Sequence, residues 1–421
     1  MKFLQLFWKS QLSTRITLLD QLIVSGCNFL LGILLTRWLG LDDYGVFALA
    51  WMGLLLASNL QLNFVLKPMM SLGPKEAAHK AKRQYYAGAH YLNFCFLALI
   101  ALIGLGLVYG ADEWFPEWGI GYLFPVLPLA VLAFLWQEFY RRLFFVSDQV
   151  VKALVLDALA YGGMIIGTLG LYLSDQLSVA TAYGAVMGSF CISFALGLWW
   201  SRHLPRVGIA ALRNVFDRHW RFSSWLVGTA LLQFFGSNFF LVAAGSIVGS
   251  AGVGALRIAQ NLMGLTHILF QAMENTVPIK ASGALMRDGI NGMLQYLKLV
   301  SLKTGFIIGL ILLSVALAAE PLISLVYGAE FTSQSYLLIG YCVFYATLFP
   351  GYPLRYALRS LEFTQPIFVA YIVSTAFSLL AAYPMVERWG LMGVVYGLII
   401  TQILMQTCYA WMLRRRVRRS R

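Results

Sequence analysis

The chain has 421 residues, of which 60% are hydrophobic and only 12% charged, with a mean hydropathy of +0.73. Soluble domains carry roughly 25% charged residues, so a water-soluble globular class is excluded. The formal net charge of +13 would suit nucleic acid, but the positions of the charges account for it without one.

Several apolar runs exceed the roughly 20 residues that a spanning helix needs. They predict an all-α polytopic membrane protein of about twelve transmembrane helices. The spans fall near residues 16–37, 44–66, 86–109, 119–139, 150–173, 178–200, 222–246, 251–276, 296–319, 334–351, 363–385 and 390–413. Ahead of the first, Phe3, Leu4, Leu6, Phe7 and Trp8 with Lys2 and Lys9 read as a cytoplasmic interfacial segment over 1–15. No small-residue cleavage site follows it, so a removable signal peptide is not expected. With the N-terminus inside, 28 of the 31 basic residues fall on the cytoplasmic side, leaving Arg37, Arg257 and Arg388. Both termini are then cytoplasmic, and the basic tail 414–421 is an ordinary positive-inside anchor. All five cysteines lie inside predicted spans with no CxxC spacing, so neither a disulfide nor a metal site is expected.

The basic stretch 201–221 divides the chain into lobes of six helices, 16–200 and 222–413, joined by a cytoplasmic linker. The lobes echo each other. Gly40-Leu-Asp-Asp-Tyr-Gly45 precedes a helix ending at Lys67-Pro68, and Gly249-Ser-Ala-Gly-Val-Gly254 precedes one ending at Pro278-Ile-Lys280. An even number of helices per copy makes this a parallel repeat about an axis along the membrane normal.

Polar residues inside spans are the candidates for function, because they are costly there unless they face a bundle interior or a water path. The richest set is a stripe on the eighth helix: Arg257, Gln260, Asn261, His267, Gln271, Glu274 and Asn275, spaced i, i+3, i+4 along one face. Its counterparts in the second helix include Ala48, Trp51, Met52 and Leu62, so the fold does not require the stripe. Arg257 has the geometry to hold a phosphate bidentately, with Gln260, Asn261 and Gln271 for sugar hydroxyls. On the first helix Gln21 and Asn28 share a polar face, with Asp20 at its edge. Asp20, Asp157 and Glu274 are candidates for ion or proton coupling, against the plainer readings of an interfacial carboxylate or a structural pair. Glu138 with Arg141 and Arg142 reads first as a local i, i+4 salt bridge. Arg141, Arg142, Lys67 and Lys280 are also candidates for the place where a phosphate enters from the cytoplasm. Pro125 and Pro128 are expected to break or bend the fourth helix. No nucleotide-binding GxxxxGK[ST] and no HExxH or GxSxG pattern occurs, so no cofactor and no enzyme activity are expected.

The run from Asn28 through Thr36-Arg37-Trp-Leu-Gly40 and Tyr44-Gly45, with the stretch from Leu241 through Gly249, Gly254 and Pro278 to Ser282, resembles polysaccharide transporters. These are Wzx-type flippases of lipid-linked oligosaccharides, in the superfamily that also holds lipid II flippases and MATE drug exporters. The second copy departs from the pattern in having Val253 where Tyr44 stands in the first. The resemblance implies two MATE-like lobes around a cleft, working by alternating access in the bacterial inner membrane. It implies a substrate of undecaprenyl-diphosphate-linked glycan for surface polysaccharide (O-antigen, capsule or exopolysaccharide). Membrane lipid is then an obligatory partner, and a polysaccharide polymerase or other assembly protein a further one. The alternatives are a cation-coupled MATE-like drug exporter and, less so, a polytopic glycan polymerase or ligase. The short outer loops, the longest being Glu320 to Gln334, speak against the latter.

Overall fold

The computed structural model describes residues 2–76, 78–114, 116–123, 125–363 and 365–419. All regular structure among them is helical, and the chain divides into two compact units, Met1–Ala230 and Leu231–Arg421. Helices dominate because a bilayer offers no water to backbone N–H and C=O groups, so each must be satisfied within its own segment.

In the first unit α1 (Lys2–Gln61) runs on through a π-helical turn, Leu62–Leu66, into α2 (Lys67–Leu72). There follow α3 (His79–Tyr109), the short α4 (Ala111–Trp114), α5 (Leu127–Val146), α6 (Val150–Asp157), a π turn at Ala158–Gly162, α7 (Gly163–Leu173) and α8 (Val179–Ser201). In the second are α10 (Ser250–Leu317), α11 (Ala319–Val326), α12 (Ser335–Leu348), α13 (Gly351–Ser360) and α14 (Gln365–Arg419). Between these sets α9 (Ile209–Ile247) passes from one unit to the other.

Among the described residues, eight stretches are long and apolar enough to span a membrane on their own. Two of them, Arg15–Lys75 and Gln365–Arg418, are each broken by a glycine, at Gly40 and Gly390. The predicted fourth and eighth helices complete the set of twelve. The fourth falls outside the eight because its 20 residues carry Glu138, Arg141 and Arg142. α10 likewise breaks at Gly289, separating the eighth helix from the ninth.

The repeat read from sequence has a conformational signature. Gly40 adopts φ 81°, ψ −178°, and Gly249 adopts φ 90°, ψ −179°. This region of backbone space is open essentially only to glycine. The same hinge therefore introduces the second helix of each six, and the aligned Tyr44 and Val253 are both buried behind it.

Three boundaries differ from expectation. The fourth helix starts at Leu127 rather than near 119 and continues to Val146. Pro125 lies just ahead of the helix, and Pro128 is tolerated in its first turn, where its missing N–H would have no partner anyway. The shift moves Glu138, Arg141 and Arg142 from a helix end into a helix body. The expected outer loop 320–334 is largely α11 and a 3-10 turn, Ala329–Gln334. The expected linker 201–221 is helical from Ile209 and packs on the first unit. Its Val215 joins the core of Phe139, Tyr140, Phe144 and Leu156.

Pro68 explains how that helix is held. Without an N–H, Pro68 leaves the carbonyl of Phe64, four residues back, without its helical donor. His219 Nδ1 lies 3.2 Å and Ser223 Oγ 3.4 Å from that oxygen. With Nδ1–H so engaged, Nε2 accepts from the Tyr85 hydroxyl at 2.8 Å. Elsewhere small residues let helices approach closely, as membrane packing requires. A Cβ on Gly163 would lie 2.9 Å from that of Ser189, and one on Gly397 would meet the Phe240 ring.

Nothing lies within 4 Å of a Cβ built on Gly40, so substitution there tests backbone strain alone. Gly40→Ala and Gly249→Ala should each destabilise by about 1–3 kcal/mol. Gly228→Ala, in equally open space but regular helix, should be neutral or slightly stabilising. Thermal unfolding in detergent reads the difference, and equal melting temperatures for all three would remove the special role of the hinge glycines.

Candidate functional site

α1, α5 and α6 bring five charged side chains together inside the first unit. Arg141 is the centre. Its Nε donates to Asp157 at 2.5 Å, Nη2 to Asp20 at 2.9 Å, and Nη1 to Glu138 at 3.3 Å. Glu138 also accepts from Arg142 Nε at 2.7 Å, the i, i+4 pair legible in sequence. Gln137 Nε2 donates to the other Asp157 oxygen at 2.6 Å. Asp20 is 1% exposed, Asp157 0% and Arg141 8%, so bulk water does not dilute these interactions. A guanidinium suits this place because its rigid fork presents five donors in fixed directions.

The charges do not balance. Three carboxylates face two guanidiniums, and Asp20 Oδ1 and Gln137 Oε1 are buried acceptors to which no protein group donates. Asp20 and Asp157, singled out separately from sequence, thus belong to one cluster. Arg141 and Arg142 belong to it as well, and a phosphate reaching Arg141 would have to displace a carboxylate.

The second unit holds a cavity of about 320 Å³. Gln260 from α10 lines it, opposite Arg355 and Tyr352 of α13 and Tyr371 and Tyr409 of α14, with Gln233 and Ser237 of α9. The Arg355 guanidinium stacks on Tyr352, 4.6 Å from the ring centroid. Phe270 stacks on the same tyrosine at 4.8 Å, which fixes the platform. Among the described residues, no carboxylate lines the cavity. One cation, several amides and hydroxyls, and aromatic faces together suit a polar anionic or sugar-bearing ligand.

Among the described residues of the eighth-helix stripe, Gln260 is the one that lines this cavity. Arg257 is half-buried and donates Nη1 to Gln260 Oε1 at 2.7 Å, so it backs the cavity wall. Asn261 is half-buried one position on. Glu274, a candidate for both binding and coupling, forms an ion pair with Arg359 at 2.8 Å. The side chains of His267, Gln271 and Asn275 lie outside the described residues. On α1, Gln21 is exposed and bonds Ser25 at 3.0 Å, while Asn28 donates to the Val24 carbonyl at 2.9 Å. Lys67 donates to Asn63 one turn back at 2.7 Å, and Lys280 is exposed. Arg355 escaped the sequence reading because the charge rule assigned it to a cytoplasmic helix end. The signal was present in Tyr352-Pro-Leu-Arg355-Tyr356, an arginine set among aromatics.

Arg141→Met would leave Asp20 and Asp157 buried without a cation, Glu138 keeping Arg142, and should cost about 3–5 kcal/mol. Asp20→Asn removes the surplus charge, leaving two of each sign, and should be far milder. Denaturation of the purified protein compares them. If Asp20→Asn is as damaging as Arg141→Met, the charge surplus is not what the cluster carries.

A family described as polysaccharide biosynthesis protein matches residues 33–336, most of the chain. No curated protein matches it in sequence. Among solved structures, lipid II flippase MurJ in an inward-closed conformation is similar with a TM-score of 0.71 and 13% identity, covering 96% of this chain and 87% of that one. An inward-facing multidrug resistance MATE family transporter of the MOP superfamily gives 0.76 and 14%, with 94% of each chain covered. A MOP superfamily transporter from Pyrococcus furiosus gives 0.60 and 14%, covering 96% and 93%. The fold is therefore that of MOP-superfamily transporters, and the protein is a multi-pass membrane protein. By the extent of the sequence match, the chain belongs to the polysaccharide biosynthesis protein family.

Proposed function

We propose that this protein is a flippase that moves a polyprenyl-diphosphate-linked oligosaccharide from the cytoplasmic to the outer leaflet of a bacterial inner membrane, by alternating access. The observation that carries the reading is Arg355, stacked on Tyr352 in a carboxylate-free cavity beside Gln260 and Gln233. A diphosphate leaving water needs its charge compensated. Arg355 provides that, with Arg257 behind Gln260, while amides, hydroxyls and tyrosine faces serve the sugars. The family match supports a role in polysaccharide assembly, and the likeness to a lipid II flippase supports lipid-linked cargo. A cavity whose only charged lining residue is an arginine argues against cationic drugs as cargo.

Direction needs no nucleotide. Carrying about two negative charges outward against an inside-negative potential of 100 mV is favoured by roughly 4–5 kcal/mol. The Asp20–Arg141–Asp157 cluster offers a second input, since its surplus negative charge is suited to a proton or sodium ion exchanged in the cycle. The positive-inside charge pattern places both termini in the cytoplasm in this reading, and the assembly's polymerase is a natural neighbour.

In a strain lacking its own flippase, Arg355→Ala should lower surface polysaccharide at least about tenfold with protein abundance unchanged, a loss of about 1.4 kcal/mol or more of substrate stabilisation. Arg355→Lys should recover only part of it, because an ammonium neither stacks nor forks as a guanidinium does. Normal export by Arg355→Ala would sink the cargo assignment. Coupling is read separately: collapsing the proton and sodium gradients should slow the wild type but not Asp157→Asn. Equal slowing of both would place the coupling elsewhere.

A further inference from the structure

A second cavity, of about 490 Å³, lies wholly within the first unit. It is enclosed by the start of α3, the turn between α5 and α6, and the end of α8. Three cations line it, Lys82, Arg83 and Lys152, together with His79 and His203, and no carboxylate does. Such a concentration of one sign is unfavourable unless an anion joins it.

The cations are held in place by aromatic rings rather than by acids. Lys152 Nζ lies 5.4 Å from the Phe144 centroid and 5.5 Å from that of Trp200, and Lys82 Nζ lies 5.9 Å from that of Tyr86. Arg83 is steadied by donating to the His203 carbonyl. Ring faces orient an ammonium without neutralising it, so its charge stays available to a ligand.

Two hydroxyls make the same point independently. Tyr86 Oη and Ser201 Oγ are buried in this lining and have no protein hydrogen-bond partner. Tyr86 is only 5% exposed, and its ring and hydroxyl lie where a side chain on Gly73 would otherwise stand. Leaving a buried hydroxyl unsatisfied costs about 1–3 kcal/mol, which a ligand oxygen in the cavity would recover.

We propose that this cavity is a phosphate-binding site, separate from the Arg355 cavity, that takes a phosphate ester on Lys82, Arg83, Lys152, Tyr86 and Ser201. The shared chemistry is a phosphate anion with several acceptor oxygens. It reaches the protein either as the headgroup of an anionic phospholipid or as the diphosphate of the transported lipid. Basic pockets among membrane helices commonly hold lipid headgroups in this way. The site rests on its own charges and orphan hydroxyls, and it stands whatever cargo the Arg355 cavity carries.

The test uses full-length protein in phosphatidylcholine nanodiscs, with radiolabelled inorganic diphosphate as the probe in equilibrium dialysis. Lys82→Ala/Lys152→Ala should weaken binding at least about tenfold. Tyr86→Phe/Ser201→Ala, which changes no charge, should weaken it by about threefold to tenfold. Lys298→Ala/Lys303→Ala, an equal loss of charge at exposed positions on α10, should stay within about twofold. If phosphatidylglycerol in the nanodisc displaces the diphosphate from the wild type, the natural occupant is a phospholipid headgroup. If diphosphate stays bound, it is the diphosphate of the cargo. Failure of the wild type to bind diphosphate in phosphatidylcholine, or equal losses in the two lysine pairs, would overturn the site.

Discussion

Arg141 is the point on which the first unit depends. A guanidinium buried among apolar helices is tolerable only when its donors all find acceptors, because the desolvation of an ion is repaid only by several good contacts at once. Here one arginine ties α1 through Asp20, its own helix through Glu138, and the end of α6 through Asp157. Asp20 is 121 residues from Arg141 in the chain, whereas α5 and α6 are consecutive, so the cluster fixes α1 against the α5–α6 pair. The same arrangement sets three carboxylates against two guanidiniums.

The demand that every backbone group be satisfied shapes the rest. Pro68 breaks the helical ladder at Phe64, and the repair comes from His219 and Ser223 on a helix more than 150 residues later. That repair docks the start of α9 onto the first unit and turns a basic connector into part of the core. Glycine hinges at Gly40 and Gly249 serve the opposite purpose. They change the chain's direction between spans with a conformation that other residues resist.

Duplication set the scaffold, and the two copies then diverged in chemistry. The first unit buries an acidic cluster around one arginine. The second surrounds one arginine with tyrosines and amides and admits no carboxylate to the cavity.

Much of this was legible in the residues alone. Apolar run lengths determined the twelve spans, glycine and proline spacing the repeat, and the i, i+4 offset the Glu138–Arg142 pair. Such features depend on local periodicity, and hydrogen bonding inside a bilayer is local. Sequence also picked out Asp20 and Asp157, because a carboxylate in a span is conspicuous wherever it faces. What only tertiary structure decided was which distant side chains meet. That Arg141 joins both aspartates depends on how α1 and α6 pack against α5. That Arg355 stacks on Tyr352 beside Gln260, with Arg257 behind, depends on how α10, α13 and α14 pack. An arginine near a span end looks the same in sequence whether it anchors to the interface or turns into a cavity. The choice rests on neighbours contributed by other helices, and periodicity along one helix holds no record of them.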